Sequence, residues 1–249
     1  MIRYGIVAGV LLGSLAAFVP LPAAADPAIE TDPWQPMNRE VFAFDMTVDR
    51  WVLLPVSKGW DRISNVPVRE SVNNFFLNLR FPRRFVSKLL QGRFLASGEE
   101  VGRFVVNTTV GLLGFFDPAT KIGLTYSDAD FGQAFGVWGI GSGPYLVLPF
   151  FGPSSPRDTV GLVFDSLVSF SALGPYLFLA TPVDWVNYRS LHADDVAEAK
   201  AASLDYYVFV RNAYGQQRYA LIHHRKAAES PGAGVPAVDE LYELEDQDD

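Results

Sequence analysis

Apolar residues recur at helical spacing through most of the chain, in short blocks cut by prolines and glycines. Val41, Phe44, Val48 and Val52 lie on one helical face. Pro55 ends or kinks that helix, and Val56, Trp60 and Ile63 begin another face. Pro67 suits a first helical turn. Val68, Val72, Phe75, Phe76 and Leu79 then form the clearest amphipathic stripe. Phe81-Pro82 breaks it, Phe85 and Leu89 share the next face, and Gln91-Gly92 is a stop signal. Val101, Phe104, Val105 and Thr108 predict a helix ending near Gly111, and Asp117-Pro118 is a turn. A short helix is expected over 130–136. Ser155-Pro156-Arg157-Asp158 is a strong helix start, with Val160, Val163, Phe164 and Leu167 as the expected buried face. Pro182 opens another helix near Trp185, and Tyr207, Val210, Tyr214 and Leu221 keep helical spacing beside Arg211 and Arg218.

The pattern contains no repeat and no long β-alternation, only short extended pieces near 145–148. It predicts a mainly α, single compact domain of short amphipathic helices with one Gly/Pro-rich hairpin loop. Between Asp130 and Arg157 the chain is free of charge for long enough to span a bilayer, but glycines and prolines crowd the segment. Such a stretch cannot satisfy its own backbone in lipid as a helix. Short faces rich in Phe and Trp suit two settings, a soluble core or a membrane interface.

The ends differ in kind from the body. Arg3, an apolar run to Leu21 and Ala23-Ala24-Ala25 read as a cleavable signal peptide over 1–25, followed by a helical domain over 26–229. The formal net charge of −8 is concentrated in the last residues, where Asp239, Glu240, Glu243, Glu245, Asp246, Asp248 and Asp249 close an expected disordered tail over 230–249. Setting that tail aside leaves a nearly neutral body, a poor match to nucleic acid. The chain has no cysteine. This excludes disulfides, thiolate metal sites, thiol nucleophiles and a cysteine-borne lipid anchor within it.

Familiar chemistry is missing. Gly139, Gly141 and Gly143 suggest a phosphate loop, but Pro144 stands where G-x-G-x-x-G needs its last glycine, and no βαβ unit surrounds them. Gly139-Ile140-Gly141-Ser142-Gly143 lacks a serine at the central position of a hydrolase elbow. His192, His223 and His224 are too scattered for a metal centre, and Asp194-Asp195 reads as a polar helix start. Asn107-Thr108-Thr109 matches a glycosylation pattern but falls inside a predicted helix, where packing and helix-end hydrogen bonding explain it. No enzyme and no cofactor are expected.

Six motifs in order carry a resemblance: DPWQPMNREVFAFD (32–45), VRESVNNFFLNL (68–79), LLQG (89–92), RFVVNTTVGLLGFFDPA (103–119), DFGQAFGVWGIGSGPYLVLPFFGPSSPRD (130–158) and DYYVFVRNAY (205–214). Together they resemble the MlaA/VacJ family of outer-membrane phospholipid-transport proteins, over about residues 32–221. The resemblance implies a ring-like helical body in the inner leaflet of the outer membrane, on its periplasmic side. It implies a central amphipathic passage that returns mislocalised phospholipids from the outer leaflet. A periplasmic lipid-carrier protein receives them, and a trimeric porin is a neighbour. Many members are lipoproteins; without a cysteine, this chain is expected to be held by its body or by porin contact.

Within the matched motifs Asn38, Arg39, Asn73, Asn74, Asn107 and Gln133 are the polar residues that either line such a passage or brace it. Gly139, Gly141, Gly143, Pro144, Tyr145 and Pro149 form an expected hairpin that either gates the passage or is a static turn. The acidic tail is either a solvated tail or a docking segment for the carrier. A membrane-associated scaffold or porin accessory without a conduit is the alternative reading, and a lipid hydrolase is a third.

Overall fold

In the computed structural model the described residues, 32–174 and 176–229, are mostly helical. The expected signal peptide and acidic tail lie outside them. In chain order the helices are α1 (Gln35–Val48), α2 (Leu54–Ile63), α3 (Val66–Leu79), α4 (Phe81–Leu90), α5 (Phe94–Thr109), α6 (Pro118–Lys121) and α7 (Phe131–Val137). A two-stranded hairpin, β1 (Leu146–Leu148) and β2 (Gly152–Ser154), separates these from α8 (Pro156–Leu173), α9 (Tyr176–Leu191), α10 (Ala193–Ala202) and α11 (Tyr206–Glu229).

Local chemistry explains most boundaries. Asn65, Asp117, Asp130 and Ser155 each accept a backbone N–H in the first turn of α3, α6, α7 and α8, so four helix starts are side-chain capped. Arg80 lies between α3 and α4, just before Phe81-Pro82. Proline lacks an N–H and cannot donate to the preceding turn. At Pro55 the chain does not stop. It loosens into a π-helical segment, Asp49–Leu53, and resumes as α2. Pro182 also departs from expectation: it stands inside α9, and does not open a helix near Trp185.

The larger departure concerns orientation. On α8 the residues expected to be buried, Val160, Val163, Phe164 and Leu167, are exposed by 43–58%, while Arg157, Asp158, Gly161, Asp165 and Ser169 face inward. The same inversion holds on α5, where Ser97, Glu100, Arg103 and Asn107 are buried and Phe94, Leu95, Val101 and Val105 face out. On α4 Arg83, Arg84, Ser87 and Lys88 are buried. Among the described residues, buried polar and charged side chains outnumber buried hydrophobic ones. A water-soluble domain has the opposite arrangement.

One conventional core exists. Phe42, Tyr145, Val147, Val196, Tyr207, Val210 and Tyr214 pack together and join α1, β1, α10 and α11. Elsewhere aromatic rings pair between neighbouring elements. Phe81 stacks on Phe104 at 4.3 Å, Phe75 on Phe115 at 4.9 Å, and Phe131 on Phe164 at 5.7 Å. No helix among the described residues is long and apolar enough to cross a membrane.

Candidate functional site

A charged interior must neutralise itself, and here it does so in discrete clusters. Arg218 of α11 is 1% exposed and lies between two carboxylates. Its Nη1 donates to Asp130 Oδ2 at 2.7 Å, and its Nη2 donates to Asp158 Oδ1 at 2.8 Å. Asp130 is the cap of α7 and Asp158 lies in the first turn of α8, so one guanidinium ties α11 to two helix N-termini. Burial opposes the charge of Arg218, but Asp130 and Asp158 override it and hold its pKa well above the usual arginine value. Tyr214, one turn earlier, donates its hydroxyl to Asp158.

A second cluster joins α4 to α5. Arg84 Nε donates to Glu100 Oε1 at 2.7 Å, and Lys88 donates to Glu100 Oε2. Burial pushes Glu100 upward, yet Arg84 and Lys88 together hold it below the ordinary carboxylate range. Further pairs join Arg189 to Asp49 at 2.8 Å, Arg83 to Asp128 at 2.8 Å, and Arg80 to Asp184. Buried pairs of this kind cost heavily when one member is removed, and they fix which helices are neighbours.

The candidate polar residues fall into separate settings. Asn38 is fully buried and clamps the hairpin: its Nδ2 donates to the Tyr145 carbonyl at 3.0 Å, and Val147 N donates to its Oδ1 at 2.9 Å. Next to it, Arg39 pairs with Asp205 at 2.7 Å and lies over the Tyr207 ring at 4.4 Å. Asn107 is buried at the end of α5, where it donates to Asp117 at 3.0 Å and accepts from Ala119 N at 3.0 Å. Gln133 is buried in α7, and its side chain donates to Asp130 at 3.2 Å. Asn74 and Asn107 line one small polar cleft with Asn78, Arg84, Arg103 and Tyr126. Asn73 is half-buried and does not line it. The six residues therefore do not converge on one site.

The glycine stretch is also rearranged. The paired hairpin is not 139–149 but β1 and β2, in register Leu146 opposite Ser154 and Leu148 opposite Gly152, with Pro149, Phe150 and Phe151 in the turn. Gly139 and Gly143 have φ of +90° and +74° and require glycine's freedom; Gly141 does not. Tyr145 is fully buried at the hairpin base against Tyr207 and Tyr214. Phe150, at the turn, has φ +64°, a strained value for a side chain with a Cβ.

Sequence reasoning missed Asp45, Glu100, Asp130, Asp158 and Arg218. Their partners lie far along the chain, Arg218 to Asp130 across 88 positions. The usable signal was local: polar and charged residues recur at helical spacing opposite the apolar stripes, as with Arg157, Asp158, Asp165 and Ser169 opposite Val160, Val163, Phe164 and Leu167.

Comparison with known proteins supplies the remaining findings. A family model described as MlaA lipoprotein matches residues 30–221. The chain is 30% identical to a Haemophilus influenzae protein named intermembrane phospholipid transport system lipoprotein MlaA, over 80% of this chain and 82% of that one. A protein of the same name from Escherichia coli K12 is 28% identical, over 87% and 89%. An uncharacterized Rickettsia bellii protein is 32% identical over 80% of each chain. A solved structure from work on the structural basis for maintenance of bacterial outer membrane lipid asymmetry superimposes with a TM-score of 0.69. It is 29% identical, and the match covers 78% of this chain and 100% of that one.

Proposed function

The chain belongs to the MlaA family, and from that premise we propose that it is a non-enzymatic conduit returning phospholipids from the outer leaflet of the outer membrane. The observation that carries this reading is the inverted polarity of the body. Exposed Val, Leu and Phe on α5 and α8 suit acyl chains, while the charged interior suits headgroups. Each apolar side chain moved from water into hydrocarbon contributes about 1.5–3 kcal/mol. A few such side chains match or exceed one acyl chain, at about 0.8 kcal/mol per CH₂, so the body can hold itself in a leaflet.

In this mechanism the lipid is not chemically changed. The headgroup follows a polar lining through a ring-like body while the tails stay against apolar walls, and a periplasmic carrier protein takes the lipid away. The hairpin at 146–154 gates the passage, and a trimeric porin sits beside it. Asn74, Asn107 and the cleft they share with Arg103 are the polar lining to test first. Asn38, Arg39 and Gln133 act as braces, because each engages a protein partner and none lines the cleft.

The test is photocrosslinking in intact cells, from positions 74 and 107 on the inside and 95 and 163 on the outside. Headgroup-labelled phospholipid should be captured from the inner pair and acyl-labelled phospholipid from the outer pair. Capture of both labels only from the outer pair contradicts a conduit and favours a membrane-associated scaffold. Release of free fatty acid from vesicles by the purified protein contradicts the absence of chemistry.

A further inference from the structure

Asp45 stands apart from the carboxylates of the ion-pair clusters described above. It is 1% exposed, yet it has no salt-bridge partner, whereas Asp49, Glu100, Asp130, Asp158 and Asp184 each have one. Its Oδ1 accepts one hydrogen bond, from Phe150 N at 2.8 Å, and its Oδ2 has no hydrogen-bond partner. Phe150 is the turn residue held at φ +64°. Its ring lies edge-on to Phe44 at 5.3 Å, and both rings are nearly half exposed. One side of α1 thus grips the hairpin twice: Asn38 holds β1, and Asp45, two turns later, holds the turn.

We propose that Asp45 is a proton-operated latch on this turn, closed when its carboxyl is neutral and released when it is charged. A buried carboxylate without a cation is relieved either by taking up a proton or by reaching water. Taking up a proton leaves the carbonyl oxygen free to accept from Phe150 N. Reaching water requires the turn to lift, which also relieves the strained backbone at Phe150.

The surroundings offer no other way to neutralise it. β1, the turn and β2 carry no ionisable side chain between Leu146 and Ser154. On its own face Asp49 follows one turn later, and the cations brought to this end of α1, Arg189 of α9 and Lys200 of α10, are both directed at Asp49. Tyr206 of α11, near the same pair, is held un-ionised by burial. Burial pushes Asp45 up to about 6, against which the Phe150 N–H works in part. Release therefore grows through the pH range around neutrality. With the lifted turn returning Asp45 to an ordinary carboxylate pKa, the open population rises about tenfold between pH 5 and pH 8.

The latch itself is independent of the gating role proposed for the hairpin; only its effect on lipid flux rests on that role. The test is amide hydrogen exchange of the full chain in lipid nanodiscs, corrected for intrinsic exchange at each pH. Protection of the Phe150 amide should fall about tenfold from pH 5 to pH 8 and stay flat in Asp45→Asn, whose side-chain oxygen accepts the same bond without titrating. Phe150 protection that is flat in the unsubstituted chain, or that still falls in Asp45→Asn, overturns the latch. Carboxyl-carbon NMR of the unsubstituted chain gives a second reading that needs no variant. A midpoint for Asp45 near 6 supports the latch, and one near 4 overturns it. Lipid flux in the same nanodiscs is read separately: a working latch with pH-flat flux refutes gating by the hairpin and leaves the latch standing.

Discussion

Replacing Arg218 with methionine tests whether the charged interior holds the fold. Methionine approximates the arginine stem and keeps helix propensity, so the perturbation is chiefly the loss of the guanidinium. That group is 1% exposed and donates to two carboxylates at 2.7–3.1 Å. Its removal leaves Asp130 and Asp158 buried with their principal counter-charge gone. Asp158 retains Tyr214 and Arg157, and Asp130 retains backbone and Gln133 donors, so the loss is partial. Breaking a buried pair from one side costs about 3–5 kcal/mol. For a domain of this size about 1 kcal/mol shifts Tm by roughly 2–4 °C, so a drop of roughly 6–20 °C is expected in detergent micelles. Lowering the pH toward 5 should narrow the gap between variant and parent, because an orphaned carboxylate with a raised pKa takes up a proton there. Calorimetry checks both statements. A drop below about 2 °C, or a gap that widens on acidification, refutes the view that this cluster ties α11 to α7 and α8.

Three further predictions address other layers. Glu100→Gln should destabilise by about 3–5 kcal/mol, since Arg84 and Lys88 lose their shared anion; denaturant titration reads it. The folded pKa of Glu100 lies below its unfolded value, so its contribution is present above about pH 4.5 and lost as pH falls through the folded pKa; acid unfolding of parent and variant should therefore converge. Phe94→Asp with Leu95→Asp should leave the helical circular dichroism of the purified protein unchanged, since both side chains face out and touch none of the buried ion pairs. It should weaken vesicle binding by at least about 100-fold, from about 3–6 kcal/mol of lost apolar transfer. Gly143→Val should lower Tm, because its φ is +74° and a Cβ would stand 3.1 Å from Pro156; Gly141→Val should not, since neither constraint applies.

The elements were largely legible because their signals are local. Ser155 and Asp130 cap where their spacing to Asp158 N and Gln133 N requires, and Phe81-Pro82 separates α3 from α4. Which face of each helix turns inward was not legible, since periodicity defines two faces and assigns neither to water. Reading Val160, Val163, Phe164 and Leu167 as core assumed an aqueous exterior, and the carboxylates opposite them fill the interior instead. Pro182 stands inside α9 and not at its start, since a proline in a helical pattern marks a kink as readily as a beginning. The hairpin was placed too early because glycines drew the boundary, while pairing begins only at Leu146 after Asn38 takes the Tyr145 carbonyl. No pattern along the chain brings Asp130, Asp158 and Arg218 together. Burial leaves their charges no other neutral arrangement, and only the folded backbone makes them neighbours.

The central claim is that this body moves intact phospholipid out of a leaflet. Its most direct measurement uses purified protein in vesicles whose outer leaflet alone carries a headgroup-labelled phospholipid, with a soluble lipid-binding acceptor enclosed inside. The account predicts protein-dependent arrival of uncleaved labelled lipid on the acceptor, reduced by Asn74→Leu and Asn107→Leu at equal folded amount. Transfer no faster than in protein-free vesicles, or arrival of cleaved lipid, would contradict it.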